Sequence, residues 1–232
     1  MTERPIRAIV VADGAVPERA DLDTAWPGWA DGATLVVAAD GGARGAARLG
    51  LPIDRWVGDG DSLGEQELAA LAARGVPVER SPVDKDESDA ELAVRAALRL
   101  GATEVTILGA LGGARLDHAL ANVALLGHRA LGGSPAQLLD VDARVRLVDA
   151  PGPDGGPVTL SLVGRAGDGI SLLPLGADVH GVTTAGLRYP LAGEPLTLGS
   201  SRGLSNVRLS ARATVTVDAG RLLVVETPAT LR

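Results

Sequence analysis

Two short acidic stretches carry the densest chemistry in the sequence, Gly58-Asp59-Gly60-Asp61-Ser62 and Asp84-Lys85-Asp86-Glu87-Ser88-Asp89. Asp59 and Asp61 stand two positions apart, so in extended backbone their carboxylates leave on the same side. Crowded carboxylates repel, and a hard divalent cation with oxygen ligands is the usual offset. Mg2+ takes few protein carboxylates and keeps waters and substrate phosphates. Asp and Gly are also ordinary turn residues, and Asp59-Gly60-Asp61 alone reads as a solvated turn. The second cluster in the same chain shifts the reading to a metal–phosphate site. Lys85, between Asp84 and Asp86, is either a surface ion pair worth under about 1 kcal/mol or a cation for phosphates held by its acidic neighbours. Asp86 and Asp89, at a predicted helix start, either hold metal or stabilise the helix dipole.

Three further groups of residues bear on the same chemistry. Asp40-Gly41-Gly42 follows a predicted strand; Asp40 is a turn residue, a helix N-cap or a ligand, and the glycines would let a phosphate approach the backbone. Gly109-Ala110-Leu111-Gly112-Gly113-Ala114-Arg115-Leu116-Asp117-His118 joins a glycine-rich backbone to a guanidinium fork suited to phosphate and to a carboxylate opening a helix. Asp117 is a helix N-cap or a ligand, and His118 a general base or a packing residue. Tyr189, the single Tyr, either caps a core or offers a ring platform. Ser205-Asn206 sits in a Gly-containing turn, with a hydrogen-bonding or a plain turn role. The HExxH and GxxxxGK[ST] patterns are absent, and no Ser-His-Asp order is compelling.

These residues fall between elements that alternate. Apolar strands are predicted at Ile6 to Val11, Thr34 to Ala39, Ile53 to Val57, Val76 to Arg80, Glu104 to Leu108 and Leu138 to Val141. Helices are predicted from Ala43 to Leu49, about Gly64 to Arg74, Ser88 to Leu100 and about Asp117 to Leu126. Residues 15–32 read as irregular with at most one helical turn. Ser88 with Glu91 has the capping-box form, and Leu92, Ala96 and Leu100 are expected on one face of the helix that follows. Near-continuous apolar strands alternating with helices predict a mostly parallel sheet with helices on both faces, Rossmann-like. From Arg144 onward the pattern changes to short strands at Arg144–Val148, Val158–Val163, Ile170–Leu173, Leu196–Leu198, Val207–Leu209, Thr214–Val217 and Leu222–Val225. Turn-separated short strands predict an all-β sandwich. The expected organisation is an α/β domain over 1–142 and a β-sandwich over 143–232.

Composition narrows the partners. The 232 residues are 46% hydrophobic and 2% aromatic, with no Phe, so the core is built from Ala, Val, Leu and Ile. A net charge of −7 argues against a phosphate-tracking surface and hence against nucleic acid, while a bound metal can still reverse the local sign for a small anion. Cysteine is absent, which excludes disulfides, thiolate metal sites and a cysteine nucleophile. No apolar run has the length of a membrane span and the first residues do not read as a signal peptide. The expectation is a cytoplasmic protein with no membrane partner.

The ordered blocks Ala39-Asp40-Gly41-Gly42-Ala43, Gly58-Asp59-Gly60-Asp61-Ser62, Lys85-Asp86-Glu87-Ser88-Asp89-Ala90-Glu91, Gly109 to His118 with Asn122, Val182-Thr183-Thr184-Ala185-Gly186-Leu187 and Gly203-Leu204-Ser205-Asn206 resemble thiamine pyrophosphokinases over nearly the whole chain. The resemblance implies an α/β domain that binds ATP and Mg2+, a β-sandwich that helps bind thiamine, and a homodimer with its active site at the subunit interface. It implies Asp59, Asp61 and Asp86 as metal carboxylates and Lys85 and Arg115 as catalytic cations. Asp40, Gly41, Gly42, Ser62, Asp89, Gly112 and Gly113 are implied around the nucleotide. Asp117, Asn122, Ser205 and Asn206 are implied as thiamine contacts. Tyr189 stands where some members place a stacking Trp. The implied reaction transfers pyrophosphate from ATP to the thiamine hydroxyl, with Asp61 or Asp86 orienting or deprotonating the alcohol. Two rivals share parts of this pattern: a pyrophosphokinase acting on another alcohol such as a hydroxymethylpterin, and a non-catalytic thiamine- or nucleotide-binding regulator.

Overall fold

The computed structural model describes residues 5–231. Residues 1–4, within the stretch read as lacking a signal peptide, and residue 232 lie outside the described residues. The chain divides into two compact units between Val141 and Asp142.

The first unit runs β1 (Ile6–Val11), α1 (Arg19–Ala25), β2 (Ala33–Ala39), α2 (Gly42–Arg48), β3 (Arg55–Gly58), α3 (Glu65–Ala73), β4 (Val78–Arg80), α4 (Asp89–Arg99), β5 (Ala102–Leu108), α5 (Leu116–Leu125) and β6 (Ala136–Leu139). Its strands lie in the order β6-β5-β1-β2-β3-β4 and every ladder is parallel. The chain order reverses between β1 and β5, and in sheets of this kind a crevice opens beyond the strand ends at that point. Ile9, Val11 and Val36 pack with Leu22 and Ala25 of α1, Ala46 of α2 and Leu49 at its C-cap. Within the stretch expected to be irregular over residues 15–32, α1 forms a seven-residue helix anchored by the buried Leu22 and Ala25, and the residues on either side of it are coil and turn.

Helix α4 begins as its sequence dictates. Ser88 is the N-cap, and its Oγ accepts the Glu91 N–H at 3.2 Å. Its buried face is Ala90, Ala93, Val94, Ala96 and Ala97, not the expected Leu92–Ala96–Leu100 stripe, and Leu100 is exposed. Small side chains let the helix lie close against the sheet, where it touches β1, β2, β3 and β5. That close approach brings the first turn of α4 to the ends of the central strands.

The second unit contains β7 (Arg144–Ala150), β8 (Val158–Val163), β9 (Gly169–Pro174), β10 (Val179–Ala185), β11 (Ala192–Leu196), β12 (Asn206–Val207), β13 (Arg212–Val217) and β14 (Gly220–Thr227). One antiparallel set follows the order β12-β9-β14-β7 and the other β11-β10-β13-β8. Val148, Ile170, Leu172, Leu222 and Val224 of the first set share a core with Leu162, Val182, Leu196, Val215 and Val217 of the second. Strand β10 was not expected: Gly181, at φ 64°, interrupts the alternation of Val179 and Val182 that would signal it. The strand expected over Leu196–Leu198 is instead β11, which ends at Leu196.

Candidate active site

The chemistry-bearing side chains of the first unit gather where β1, β2, β3 and β5 end. Strand β2 ends at Ala39, and the next residue, Asp40, turns at φ 43°. Its main-chain N–H donates to the Val57 carbonyl of β3 at 2.8 Å, and its carbonyl accepts from Ala43 N at 3.1 Å and from Trp56 Nε1 at 3.0 Å. Asp40 is only 1% exposed. Its Oδ2 accepts the Ser62 N–H at 3.2 Å, while its Oδ1 is buried with no hydrogen-bond partner among the described residues.

Asp59 leaves the end of β3 and accepts the Lys85 ammonium at 2.9 Å on Oδ2 and the Asp61 N–H at 3.1 Å on Oδ1. Lys85 also pairs with Asp89 Oδ1 at 3.1 Å. One carboxylate oxygen from each of Asp40, Asp59 and Asp89 lies within 4.8 Å of the others. Two strand ends and a helix start therefore deliver three carboxylates to one point, and the buried Asp40 Oδ1 there has no hydrogen-bond partner among the described residues. Oxygen ligands with unmet capacity are the donor set of a hard divalent cation, and Mg2+ fits them.

The electrostatics record the same crowding. Burial, together with the neighbouring Asp61, pushes the Asp40 carboxyl up to about 6. Burial likewise raises Asp89, against the pull of Lys85. The Lys85 hydrogen bond holds Asp59 below the usual carboxylate range. For Lys85 burial opposes the charge, yet bonding to Asp59 and Asp89 carries it above the ordinary lysine value. A fixed ammonium thus sits against the carboxylates, still charged.

A cleft of about 550 Å³ opens beside this group. Asp40, Asp61, Ser62, Lys85 and Asp89 line one part, and Asp13, Gly14, Gly109, Gly112, Gly113, Arg115, His118 and Asn122 line the rest. The two glycine-bearing loops interlock: Gly14 N donates to Gly109 O at 3.0 Å, and Ala15 N to Gly112 O at 3.3 Å. A β-carbon on Gly14 would lie 2.2 Å from the Gly109 carbonyl oxygen. Asn122, buried on α5, donates from Nδ2 to Ala110 O at 2.9 Å and so pins the β5–α5 loop. Arg115 and Asp117 hold each other in a two-point pair, Nε to Oδ1 at 2.9 Å and Nη2 to Oδ2 at 2.6 Å. The pair keeps Asp117 well below the usual carboxylate range. His118 faces the cleft and is exposed, so it is not a packing residue.

The placements differ from the sequence expectations in three respects. Of the expected metal carboxylates only Asp59 is in the group that meets: Asp61 lines the cleft but is not in that group, Asp86 lies in an exposed bend outside both, and Asp40 and Asp89 stand with Asp59 instead. The reason is the helix start: with Ser88 as N-cap, the first-turn residue Asp89 faces the strand ends. Gly41 and Gly42 do not line the cleft; a β-carbon would lie 2.0 Å from Asp13 Oδ1 at Gly41 and 2.0 Å from Val11 O at Gly42. Their bareness lets α2 sit against the end of β1. Asn206, in the second unit, has its amide occupied: Oδ1 accepts Tyr189 N at 3.0 Å and Val207 N at 2.9 Å, and Nδ2 donates to Tyr189 O at 2.7 Å. Tyr189 itself is 59% exposed, with the Arg188 guanidinium 5.7 Å from its ring centre. Ser205 is exposed at φ 59°.

Asp13 and Arg44 were missed from sequence. Asp13 stands two residues beyond β1 and precedes a glycine, the same Asp-Gly signal that marked Asp40. Arg44 of α2 donates to Ser62 O at 3.1 Å and Leu63 O at 3.3 Å and pairs with Glu67, anchoring the loop that carries Asp61. No local signal announces that role.

Comparison with known proteins gives a consistent result. Residues 28–131 match the family model described as thiamin pyrophosphokinase, catalytic domain, and residues 159–222 match thiamin pyrophosphokinase, vitamin B1 binding domain. The thiamine pyrophosphokinase of Bacillus subtilis (strain 168) is 29% identical over 199 residues, covering 85% of this chain and 89% of the relative. The crystal structure of thiamine pyrophosphokinase from Bacillus subtilis superposes with a TM-score of 0.79 at 28% identity, covering 96% of this chain and 99% of the other. A thiamin pyrophosphokinase family protein from Enterococcus faecalis gives a TM-score of 0.75 at 25% identity, over 95% and 98% of the two chains.

Proposed function

The chain belongs to the thiamin pyrophosphokinase family and is an ATP-dependent pyrophosphokinase, and on that premise we propose how its residues carry out the transfer to thiamine. The thiamine hydroxyl oxygen bonds to the β-phosphorus of ATP. The bond from that phosphorus to the oxygen bridging the α-phosphorus breaks, AMP leaves with that oxygen, and the hydroxyl proton passes to a base. Charge builds on non-bridging oxygens, so electrostatic stabilisation and positioning carry most of the catalysis.

Asp40, Asp59 and Asp89 would hold Mg2+, which when bound supplies Lewis-acid neutralisation of the polyphosphate. The observation that carries this reading is the meeting of their three oxygens within 4.8 Å beside the cleft. Lys85, fixed by Asp59 and Asp89, offers its ammonium to a phosphate oxygen. Arg115 offers a planar fork from the rim, and the Gly112–Gly113 backbone allows close approach. Asp61, which lines the cleft, orients the alcohol or takes its proton. Asp61 lines the cleft and Asp86 does not, which favours Asp61 as base.

For the vitamin we assign Asp117, Asn122 and Ser205 as contacts and Tyr189 as a ring platform, with Asn206 holding the Tyr189 backbone. We read residues 1–142 as a Rossmann-like ATP- and Mg2+-binding domain and 143–232 as a thiamine-binding β-sandwich. We further read the protein as a cytoplasmic homodimer with an interfacial active site and neither nucleic acid nor membrane as partner. Among the described residues no helix is long and apolar enough to cross a membrane.

The test is AMP release from ATP in the presence of thiamine and Mg2+, with a hydroxymethylpterin as the competing alcohol. AMP release with thiamine alone is expected. Asp61→Asn should abolish release while leaving the circular dichroism spectrum unchanged; an active Asp61→Asn enzyme removes that residue from the mechanism.

A further inference from the structure

We propose that Trp56 is a positioning residue for the Asp40 carboxylate, acting through the Asp40 main-chain carbonyl. The inference rests on the reading of Asp40, Asp59 and Asp89 as a cation site. Asp40 combines two costly properties: it is buried, and at φ 43° it occupies the left-handed region that residues with a β-carbon disfavour. Such a conformation persists only where its surroundings over-determine it. Here the surroundings are specific. Val57 O takes the Asp40 N–H, Ser62 N holds Oδ2, and the carbonyl accepts both Ala43 N and the indole Nε1–H of Trp56.

Trp56 is fully buried on β3, paired in register with Ala38 of β2. A buried indole N–H is a lone donor that needs an acceptor, and the strained turn supplies it. The ring also reaches the neighbouring acidic loop. A β-carbon on Gly58 would lie 3.1 Å from ring atom Cζ2 and 3.0 Å from the Asp40 β-carbon, and one on Gly60 would lie 3.9 Å from the ring. The ring therefore bonds to the turn that carries Asp40 and fills the space beside Gly58 and Gly60 of the loop that carries Asp59 and Asp61. The indole N–H thereby fixes the turn from which the Asp40 carboxylate meets Asp59 and Asp89. Without the N–H, the turn can relax toward an ordinary φ and swing that carboxylate away.

The test uses Mn2+ alone as probe, with free ion measured by electron paramagnetic resonance and no turnover required. Trp56→Phe keeps most of the ring and removes the donor, and should weaken Mn2+ binding roughly tenfold. Leu71→Ala opens a gap in the same apolar cluster without touching Asp40, and should lower the melting temperature while keeping Mn2+ affinity. Unchanged affinity in Trp56→Phe, or a parallel loss in both variants, overturns the inference. Should Trp56→Phe fail to fold, benzothienylalanine at position 56 keeps the ring shape, removes only the N–H and decides the point. A wild-type protein that binds no Mn2+ defeats the cation reading and this inference with it. Wild-type binding with an unaffected Trp56→Phe defeats this inference alone.

Discussion

At the scale of single residues, the acidic clusters illustrate how far type and spacing reach. Asp59 and Asp61 were legible as a pair because alternation along extended backbone is a local property. Asp86 and Asp89 could not be ranked locally, since both stand at a helix start and both have the right chemistry. Their rank comes from the direction in which each side chain leaves the chain. Asp89 reaches Lys85 and the Asp40–Asp59 pair, whereas Asp86 faces solvent. Removing the Asp89 charge should therefore be far more damaging than removing that of Asp86. Asp89→Asn is expected to lower kcat/KM by at least about a hundredfold, in the range for loss of an electrostatic group at a phosphoryl-transfer site, and Asp86→Asn by no more than a few fold. Steady-state AMP release at fixed Mg2+ checks the contrast, and equal losses would restore Asp86 to the site.

At the scale of elements, the N-terminus of α4 is the part where local sequence and tertiary placement agree most closely. The Ser88 hydroxyl satisfies one of the N–H groups that a helix start leaves open. It also fixes which residue begins the first turn, and so which carboxylate meets Lys85. Ser88→Ala should lower stability by about 1 kcal/mol, seen as a shifted urea midpoint with an unchanged slope. It should also raise the apparent KM for Mg2+·ATP, because the displaced first turn carries Asp89. A stability loss with no change in KM would separate the cap from the site. The apolar face of α4 was misread for a physical reason. Sequence reasoning favoured its large residues, Leu92 and Leu100, but close approach to a sheet selects small ones, and Ala93 and Ala97 are fully buried.

At the scale of the molecule, the second unit depends on a buried ionic group that no pattern in the sequence announced. Glu226, on β14, is fully buried and accepts from Arg144 at 2.6 Å, from Arg146 at 2.6 Å and from Arg208. Arg208 is itself buried and donates to Leu162 O at 2.8 Å, tying the two antiparallel sets together. Burial works to raise the Glu226 pKa, but the Arg144 bond and the charges of Arg146, Arg144 and Arg208 outweigh it and hold it low. Glu226→Gln leaves a buried guanidinium without its counter-charge and should cost about 3–5 kcal/mol, measurable by urea unfolding. Because the folded-state value is depressed, the unfolded chain binds this proton first as pH falls. The contribution is complete above the ordinary glutamate value and is lost as pH drops below it through the depressed folded value. The wild-type melting temperature should fall in that window, and Glu226→Gln should flatten the fall. An identical acid profile in the variant would locate the acid sensitivity elsewhere.

The sequence by itself determined the alternation of apolar strands with helices, the change to short strands after residue 142, the Ser88 cap and the ordered blocks that mark the family. Each is local, or is a series of local signals in a fixed order. Tertiary structure alone decided that Asp40 joins Asp59 and Asp89. It also decided that Gly41 and Gly42 lie against Asp13 and Val11 at the end of β1, and that the Asn206 amide is taken up by the backbone of Tyr189. Those outcomes depend on strand order, on the depth at which α4 packs and on which polar atoms are already satisfied. Distances between residues remote in the chain are set by packing, and packing has no short-range signature in the sequence.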